Sequence, residues 1–165
     1  MPERFILWLA SAGYSGYFPY APGTVGTLVG ILVYMLFSLF PPPIYLLSTA
    51  ATFSLALWAS GRAEIIWKER DSPKIVIDEV VGFLIAMAFL PRTLTTVVGG
   101  FLFFRVLDIM KPPPIGMIDR QMKGGLAIVL DDAVAGVYVN LLLQAIYRWH
   151  PHFLSLLDRW ICGAG

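Results

Sequence analysis

The stretch of sequence that decides the fold is residues 75–90, IVIDEVVGFLIAMAFL. It is apolar almost throughout, but Asp78 and Glu79 lie side by side near its start. A charged side chain in the interior of a bilayer costs about 2.5–3.5 kcal/mol on insertion scales, and such residues usually have a function. The stretch therefore predicts a helix in a membrane, with a functional site near one end of that helix.

The rest of the chain has the composition of a membrane protein. Of its 165 residues 58% are hydrophobic, whereas soluble domains average about 45–50%. Since a span needs about 20 mostly apolar residues, we predict an all-α fold, a small polytopic membrane helical bundle that forms a single domain over residues 1–165. Residues 1–13 are predicted to form a short interfacial or re-entrant segment. The five predicted spans are residues 24–40, 44–60, 75–90, 93–107 and 126–147.

Basic residues are distributed unevenly between the two sides of the predicted bundle. One side carries Arg4, Arg62, Lys68, Arg70, Lys74, Lys111, Arg120 and Lys123, with Arg105 at the end of the fourth span. The other side carries only Arg92, Arg148 and Arg159. Because Lys and Arg favour the cytoplasmic face, we predict that the N-terminus is in the cytoplasm and that the C-terminus is outside.

The same topology brings five carboxylates to the cytoplasmic ends of three spans. They are Asp78, Glu79, Asp108, Asp131 and Asp132. Their convergence at one depth predicts an active site, and all five are candidate catalytic residues. The alternative is that they are helix-end carboxylates, solvated by lipid headgroups or paired with Arg and Lys.

A patch of carboxylates without nearby cysteine or histidine suits a hard cation. Mg²⁺ prefers oxygen ligands and keeps water molecules that a substrate phosphate can displace. The predicted metal ligands are Asp78, Glu79, Asp131 and Asp132.

Basic and hydroxyl residues near the acids predict a phosphate site. Arg offers paired N–H donors to phosphate oxygens and Lys offers a point charge, while a helix N-terminus binds anions. The candidate phosphate-binding residues are Arg105, Lys111, Arg120, Lys123, Thr24 and Thr27, the last two from PGTVGT at 22–27. The alternatives are a topology signal or attraction to anionic lipid for the basic residues, and helix capping for the threonines.

Four motifs in order carry a resemblance to a known family. They are APGTVGT at 21–27, IDEVVG at 77–82, FRVLDIMKP at 104–112, and the segment from Asp119-Arg120 through Gly124-Gly125 to DDAVAG at 131–136. In the order and spacing of these motifs over residues 13–145, the chain resembles phosphatidylglycerophosphatase A.

The resemblance implies a Mg²⁺-dependent lipid phosphatase, a multi-pass protein of the bacterial inner membrane with its active site facing the cytoplasm. Its substrate would be phosphatidylglycerophosphate, hydrolysed to phosphatidylglycerol and inorganic phosphate in phospholipid biosynthesis. The family's acidic positions match the five carboxylates named above. A homo-oligomer stays open, and nucleic acid is not an expected partner because the net charge is only +1.

Two mechanisms and three alternatives stay open from the sequence. The phosphorus would be attacked in line either by a water molecule that the metal ion activates or by a carboxylate, Asp108 or Asp78, that becomes an aspartyl phosphate. An intramembrane cation or proton transporter would need acids throughout the depth of the bilayer. A phosphotransferase of the CDP-alcohol type would need an Asp-x2-Asp-Gly-x2-Ala-Arg core that the chain lacks. A soluble or peripheral helical bundle would explain the short spans and leave the acid site intact.

Overall fold

The computed structural model describes residues 2–122 and 124–149, apart from the side chains of residues 119–121. All the regular structure in this part of the chain is helical, which confirms the all-α prediction. A short 3-10 turn, Ser15–Tyr17, lies between the first two helices. The seven α-helices are α1 (Glu3–Ala10), α2 (Pro22–Phe37), α3 (Pro42–Trp67), α4 (Ile77–Ala86), α5 (Leu94–Met110), α6 (Ile115–Gln121) and α7 (Gly125–Trp149).

Local sequence explains where several of these helices begin. α2 and α3 begin at Pro22 and Pro42, and proline is favoured there because the first N–H of a helix has no partner inside the helix. Thr93 precedes α5, and its side-chain oxygen accepts a hydrogen bond from the Thr96 N–H at 3.2 Å, as helix-capping residues do. These starts divide a nearly continuous apolar sequence into separate helices.

α4 is the central helix of the bundle. It packs against α2, α3, α5 and α7, and every one of its residues except Ile85 is buried. Its last carbonyl groups are bonded by side chains of neighbouring helices. The Asn140 amide donates to the Ala86 carbonyl at 2.9 Å, and the Tyr45 hydroxyl donates to the Leu84 carbonyl at 2.6 Å. Because a buried helix end needs such partners, α3 and α7 fix the position at which α4 ends.

The third predicted span, residues 75–90, contains a shorter helix than its apolar length indicates. α4 has 10 residues and is therefore about 15 Å long, whereas the hydrocarbon core of a bilayer is about 30 Å thick. Four other helices cover α4, so it is a buried core helix whose length need not match the bilayer.

The exterior of the bundle is apolar. Among the described helices, α3 and α7 are long and apolar enough to cross a membrane, and α2 is a shorter apolar helix. Leu47 and Ile109 are each 71% exposed, and Leu32 is 65% exposed. Soluble monomers seldom expose large apolar patches. The fold thus agrees with a membrane protein, while the five spans and the orientation of the N-terminus stay predictions.

The five helices α2, α3, α4, α5 and α7 pass back and forth between two ends of the bundle. The starts of α2, α4 and α7 and the end of α5 contribute residues to one cavity; we call this side the acid end. The ends of α2 and α4 and the start of α3 contribute residues to another cavity; we call this side the far end. Each of these five helices therefore runs opposite to the one before it, as the predicted topology requires.

α1 packs against α3 and carries exposed aromatic side chains. Phe5 and Trp8 are 41% and 43% exposed, and their rings stack with centroids 6.0 Å apart. The carbonyl of Ala10 accepts a hydrogen bond from the Val76 N–H at 3.0 Å, directly before α4 begins. Because Trp and Tyr are enriched where a membrane meets water, the exposed Trp8 fits the interfacial segment predicted for residues 1–13.

α4 and α7 are in backbone contact at two glycines. A Cβ on Gly136 would collide with the carbonyl oxygen of Gly82, and a Cβ on Gly82 would lie 2.8 Å from the carbonyl oxygen of Asp132. Asp78 precedes Gly82 by four residues, and Asp132 precedes Gly136 by four. Each acid therefore lies about one turn from the contact and on the same face of its helix. The close approach of the two backbones sets how near the carboxylates of the two helices come.

Replacing Gly136 with alanine should push α7 away from α4. The added Cβ meets the backbone of Gly82, which cannot move aside as a flexible side chain would, and overpacking of this kind costs about 1–3 kcal/mol. We expect Gly136→Ala to unfold at a clearly lower temperature than wild type when thermal unfolding is followed by circular dichroism in detergent.

Gly99→Ala is the matched control for this prediction. A Cβ on Gly99 would meet only the Cδ2 atom of Leu143, at 3.8 Å, which is an ordinary contact. Gly99→Ala should therefore unfold close to the wild-type temperature. Equal unfolding temperatures for the two variants would show that the glycine contact between α4 and α7 is unimportant for stability.

Candidate active site

The five predicted acids lie in the wall of one cavity of about 340 Å³ at the acid end. The first turn of α4 contributes two of them, α5 contributes one, and α7 contributes two adjacent ones. The structure thus brings together the carboxylates that the sequence places on three separate helices. These three helices, with the residue that follows α5, provide seven charged side chains to the cavity wall: Asp78, Glu79, Asp108, Asp131, Asp132, Arg105 and Lys111.

Three of the acids form a group that fits a metal ion. One carboxylate oxygen from each of Asp78, Glu79 and Asp132 lies within 4.8 Å of the other two. Oδ1 of Asp78 and Oε2 of Glu79 are buried and have no hydrogen-bond partner among the described residues. Burying ionised carboxylates together is unfavourable unless a positive charge compensates them. Oxygen ligands of this kind are those that Mg²⁺ prefers, so the residues present fit the predicted ion.

Asp131, the fourth predicted metal ligand, lies in the same cavity but outside that group. Its Oδ2 accepts a hydrogen bond from Lys111 Nζ at 2.7 Å, and its Oδ1 accepts one from the Asp132 N–H at 3.0 Å. Adjacent residues of a helix point about 100° apart, which separates the two neighbouring carboxylates. A metal-binding role for Asp131 therefore stays a prediction, and its observed cationic partner is Lys111.

Arg105 lies beside two carboxylates, Asp108 on its own helix α5 and Glu79 on α4. Its Nη1 donates to Asp108 Oδ2 at 2.6 Å and lies 3.9 Å from Glu79 Oε1. Arg105 and Asp108 are three residues apart, so they share a face of α5, and both side chains are only 15% exposed. Partial burial strengthens such charge-assisted bonds, so the guanidinium group is held at the wall of the cavity.

The start of α2 closes another side of the cavity. Pro22 and Gly23 both lie in the wall. A Cβ on Gly23 would collide with Glu79 Oε1 and would lie 3.0 Å from both terminal nitrogens of Arg105. The first N–H groups of a helix have no acceptor within the helix, and here they begin beside the Glu79–Arg105 pair. Gly23 is therefore needed for close approach of α2 to the charged residues.

The two threonines that were predicted to bind phosphate do not lie in the described wall of the cavity. Thr27 is fully buried, and its hydroxyl donates to the Gly23 carbonyl at 2.9 Å within α2. Neither Thr24 nor Thr27 belongs to the described wall of the cavity. Thr27 thus bonds the backbone of its own helix, and the part of the PGTVGT motif that reaches the cavity is Pro22-Gly23.

Two other predicted phosphate-binding residues lie outside the described part of the site. Lys123 is not among the described residues, and for Arg120 only the backbone, within α6, is described. Their roles stay predictions.

The connection between α3 and α4 contributes residues that the sequence patterns did not single out. Asp71, Ser72 and Pro73 all lie in the cavity wall. The Asp71 N–H donates to Glu64 Oε1 at 2.9 Å, and the buried Ser72 hydroxyl donates to Glu69 Oε2 at 2.6 Å. In the sequence, the basic residues of this connection indicate only which side of the membrane it lies on. The signal for a role in the site is the Asp-Ser-Pro sequence at 71–73, which lies between basic residues.

The charges around the cavity restrict what it can bind. Within the described residues its wall contains six carboxylates, counting Asp71, and two cationic side chains, Arg105 and Lys111. A phosphate dianion would be repelled by this excess of negative charge unless metal cations compensated it. The arrangement therefore suits metal-assisted chemistry on a phosphate ester better than simple binding of an anion.

Comparison with known proteins places this chain in a family. The chain matches the family model Phosphatidylglycerophosphatase A over residues 8–147. A phosphatidylglycerophosphatase A of Haemophilus influenzae is 35% identical over 120 residues, which covers 72% of this chain and 74% of that protein. One of Escherichia coli is 41% identical over 87 residues, which covers 52% of this chain and 51% of that protein.

A third relative has a different name. A protein of Bacteroides thetaiotaomicron, provisionally named a phosphatidylinositol-3-phosphatase, is 36% identical over 129 residues, covering 74% of this chain and 79% of that protein. No solved structure matches the chain.

The fold, the site and these matches define the protein first as a helical phosphatase with a carboxylate-rich site. The chain belongs to the phosphatidylglycerophosphatase A family.

Replacing Gly23 with alanine should lower phosphatase activity without unfolding the bundle. The added Cβ would displace Glu79 or Arg105, and misplacing a catalytic group by about 1 Å can reduce the rate about 100-fold. Gly23 lies at the start of a helix, where alanine is well tolerated. We expect phosphate release to fall by at least about ten-fold, with the unfolding temperature close to that of wild type.

The Gly99→Ala variant described above also serves as the control here, because its Cβ lies far from any cavity charge. It should keep wild-type activity. Full activity in Gly23→Ala would show that α2 does not need to approach the Glu79–Arg105 pair so closely.

Proposed function

We propose that this protein hydrolyses the phosphomonoester of phosphatidylglycerophosphate to phosphatidylglycerol and inorganic phosphate, and that Mg²⁺ is required. The observation that supports this most directly is the cavity in which Asp78, Glu79 and Asp132 converge beside Arg105 and Lys111. Such a cavity offers oxygen ligands to a metal ion and N–H donors to a phosphate within the same small volume.

Asp78, Glu79 and Asp132 would hold the metal ion, since their oxygens are closest together and two of them lack partners among the described residues. Mg²⁺ bound there would neutralise charge on the phosphate and activate a water molecule. Asp131 is predicted as a fourth ligand, but its place outside that group and its hydrogen bond to Lys111 favour the role of general base instead.

Three other residues of the wall, Arg105, Lys111 and Asp131, bind the phosphate or accept the proton. Arg105 and Lys111 donate hydrogen bonds to the phosphate oxygens, and the Gly23 and Thr24 N–H groups at the start of α2 would be further donors. Asp131, which lies outside the metal-binding group, accepts the proton of the attacking water. A P–O bond to that water forms as the bond to the glycerol oxygen breaks, and the glycerol oxygen takes up a proton. In the alternative covalent route, Asp108 or Asp78 attacks phosphorus as the bond to the glycerol oxygen breaks, and water then hydrolyses the aspartyl phosphate to give inorganic phosphate and the free carboxylate.

We propose further that the protein crosses the bacterial inner membrane five times as a single domain over residues 1–165, with the N-terminus and the acid end in the cytoplasm. The unequal distribution of Lys and Arg supports this orientation. The cavity wall includes residues from α2, α4, α5 and α7, which supports a single functional unit. The phosphate of the substrate would then enter from the interface, and its acyl chains would lie along the apolar exterior.

A second lipid deserves a direct comparison because one relative is named for phosphatidylinositol 3-phosphate. When a phosphate is at the end of a flexible glycerol, it can enter a cavity of about 340 Å³ while most of the headgroup stays outside. A phosphate on an inositol ring brings the ring and its hydroxyl groups to the entrance. This difference in shape and the family match support the glycerol headgroup.

The first experiment measures phosphate release from phosphatidylglycerophosphate and from phosphatidylinositol 3-phosphate in detergent micelles, with Mg²⁺ and with excess chelator. We expect release that the chelator abolishes, faster with phosphatidylglycerophosphate. Faster release from the inositol lipid would overturn the substrate and leave the enzyme class in place. No release from either lipid, by protein shown to be folded, would overturn the proposed function.

A pair of variants separates the metal ligand from the general base. Asp132→Asn should lower phosphate release by at least about 100-fold and should also weaken Mn²⁺ binding, measured by electron paramagnetic resonance with Mn²⁺ as a stand-in for Mg²⁺. Asp131→Asn should lower the rate similarly while Mn²⁺ binding changes much less.

Glu3→Gln is the control, since Glu3 is not in the described wall of the acid cavity, and it should behave as wild type in both measurements. Membrane insertion should be unchanged in all three variants. Wild-type activity in Asp132→Asn would contradict the assignment of the site, and equal Mn²⁺ binding by both aspartate variants would contradict the division of roles.

A further inference from the structure

A second cavity, of about 270 Å³, lies at the far end of the bundle. Pro22 lies in the wall of the acid cavity and Ser38 in the wall of this one. These residues mark the two ends of α2 and are therefore about 24 Å apart along the helix axis. The far cavity is thus separate from the site described above, and the proposed function makes no use of it.

Tyr34 provides the far cavity with an unsatisfied hydrogen-bonding group. Its side chain is 3% exposed, and its ring packs edge-on against Tyr45 and Phe83, with centroids 6.3 and 6.1 Å away. The Tyr34 hydroxyl is buried and has no hydrogen-bond partner among the described residues, whereas the Tyr45 hydroxyl donates to the Leu84 carbonyl. A buried hydroxyl without a partner is unfavourable, so a ligand that bonds it would be stabilised.

The charge of the far cavity favours an anion. Arg92 is the charged residue in its wall, and none of the described carboxylates lies there. Arg92 is exposed, so its guanidinium group can turn toward a ligand at the entrance. A guanidinium group and a tyrosine hydroxyl together provide donors for phosphate oxygens.

The rim and the size of the cavity favour a lipid as the carrier of that anion. Phe40 and Phe89 lie in the wall and are 43% and 67% exposed, so apolar surface adjoins the charged entrance. Pockets for drug-sized ligands measure about 300–1,000 Å³. A cavity of about 270 Å³ holds a headgroup but not acyl chains, which would lie along the apolar exterior of the bundle.

We propose that the far cavity is a second binding site, for the phosphate of an anionic phospholipid headgroup. The Tyr34 hydroxyl and the Arg92 guanidinium donate hydrogen bonds to the phosphate oxygens. Phe40 and Phe89 contact the glycerol and the first methylene groups of the lipid.

The test is native mass spectrometry of the full chain in detergent, titrated separately with phosphatidylglycerol, phosphatidylcholine and glycerol 3-phosphate. The wild-type chain should retain one more molecule of phosphatidylglycerol than the Arg92→Gln variant does. The affinity of the variant at this site should be about ten-fold weaker, because a charge-assisted hydrogen bond is lost. Tyr34→Phe, which removes only the hydroxyl, should weaken retention by about five-fold. Zwitterionic phosphatidylcholine should be retained less than phosphatidylglycerol.

Arg148→Gln is the matched control, since Arg148 is a basic residue at the end of α7 outside the cavity wall. It should retain phosphatidylglycerol as wild type does, and circular dichroism should show wild-type helix content in every variant. Equal retention by wild type and Arg92→Gln, or an equal loss in Arg148→Gln, would overturn the site. Binding of glycerol 3-phosphate without retention of the lipid would overturn the lipid as ligand. All three variants should release phosphate at the wild-type rate, because none of the three side chains lies in the described wall of the acid cavity.

Discussion

The contact between the backbones of α4 and α7 at Gly82 and Gly136 is the constraint on which the rest of the structure depends. Two helices that meet through ordinary side chains lie about 8–10 Å apart, and small residues permit a closer approach. One turn beyond the contact are Asp78 and Asp132, whose carboxylates the approach brings into one group with Glu79. Two residues without side chains thus determine the spacing of the acids, although they take no part in the chemistry.

The same arrangement has an electrostatic consequence for the order of events at the site. Within the described residues, the carboxylates in the cavity wall outnumber the cationic side chains. Arg105 and Lys111 are already paired with Asp108 and Asp131 at 2.6 and 2.7 Å. A phosphate dianion that arrived first would meet repulsion from the carboxylates and would have to compete for both cations. Under the proposed function, a metal ion bound first would remove much of that repulsion, so we expect the metal to add before the lipid.

The convergence of the acids could be predicted from the sequence, because spans that alternate in direction bring their matching ends to one side. The length of α4 could not be predicted from the sequence. Hydropathy treats residues 75–90 as one apolar segment, and it does not show that Asn140 and Tyr45 bond the last carbonyl groups of the helix. The bond from the Thr27 hydroxyl to the carbonyl four residues earlier is a common habit of threonine in helices, yet sequence spacing does not distinguish it from phosphate binding. The place of Asp71 in the cavity wall could not be predicted either, because the connection between α3 and α4 has no periodic pattern that indicates which way its residues face.

The burial of α4 also has a consequence for protein engineering. The contacts of α4 with α2, α3, α5 and α7 hold it in place beside the acid cavity. The outer faces of those helices need only match the surrounding medium, as the exposure of Leu32, Leu47 and Ile109 indicates. Polar residues could therefore replace these outward side chains without touching the inner faces. The bundle is thus a candidate scaffold for a phosphatase with a polar exterior, in which the chemistry of the acid cavity could be studied in free solution.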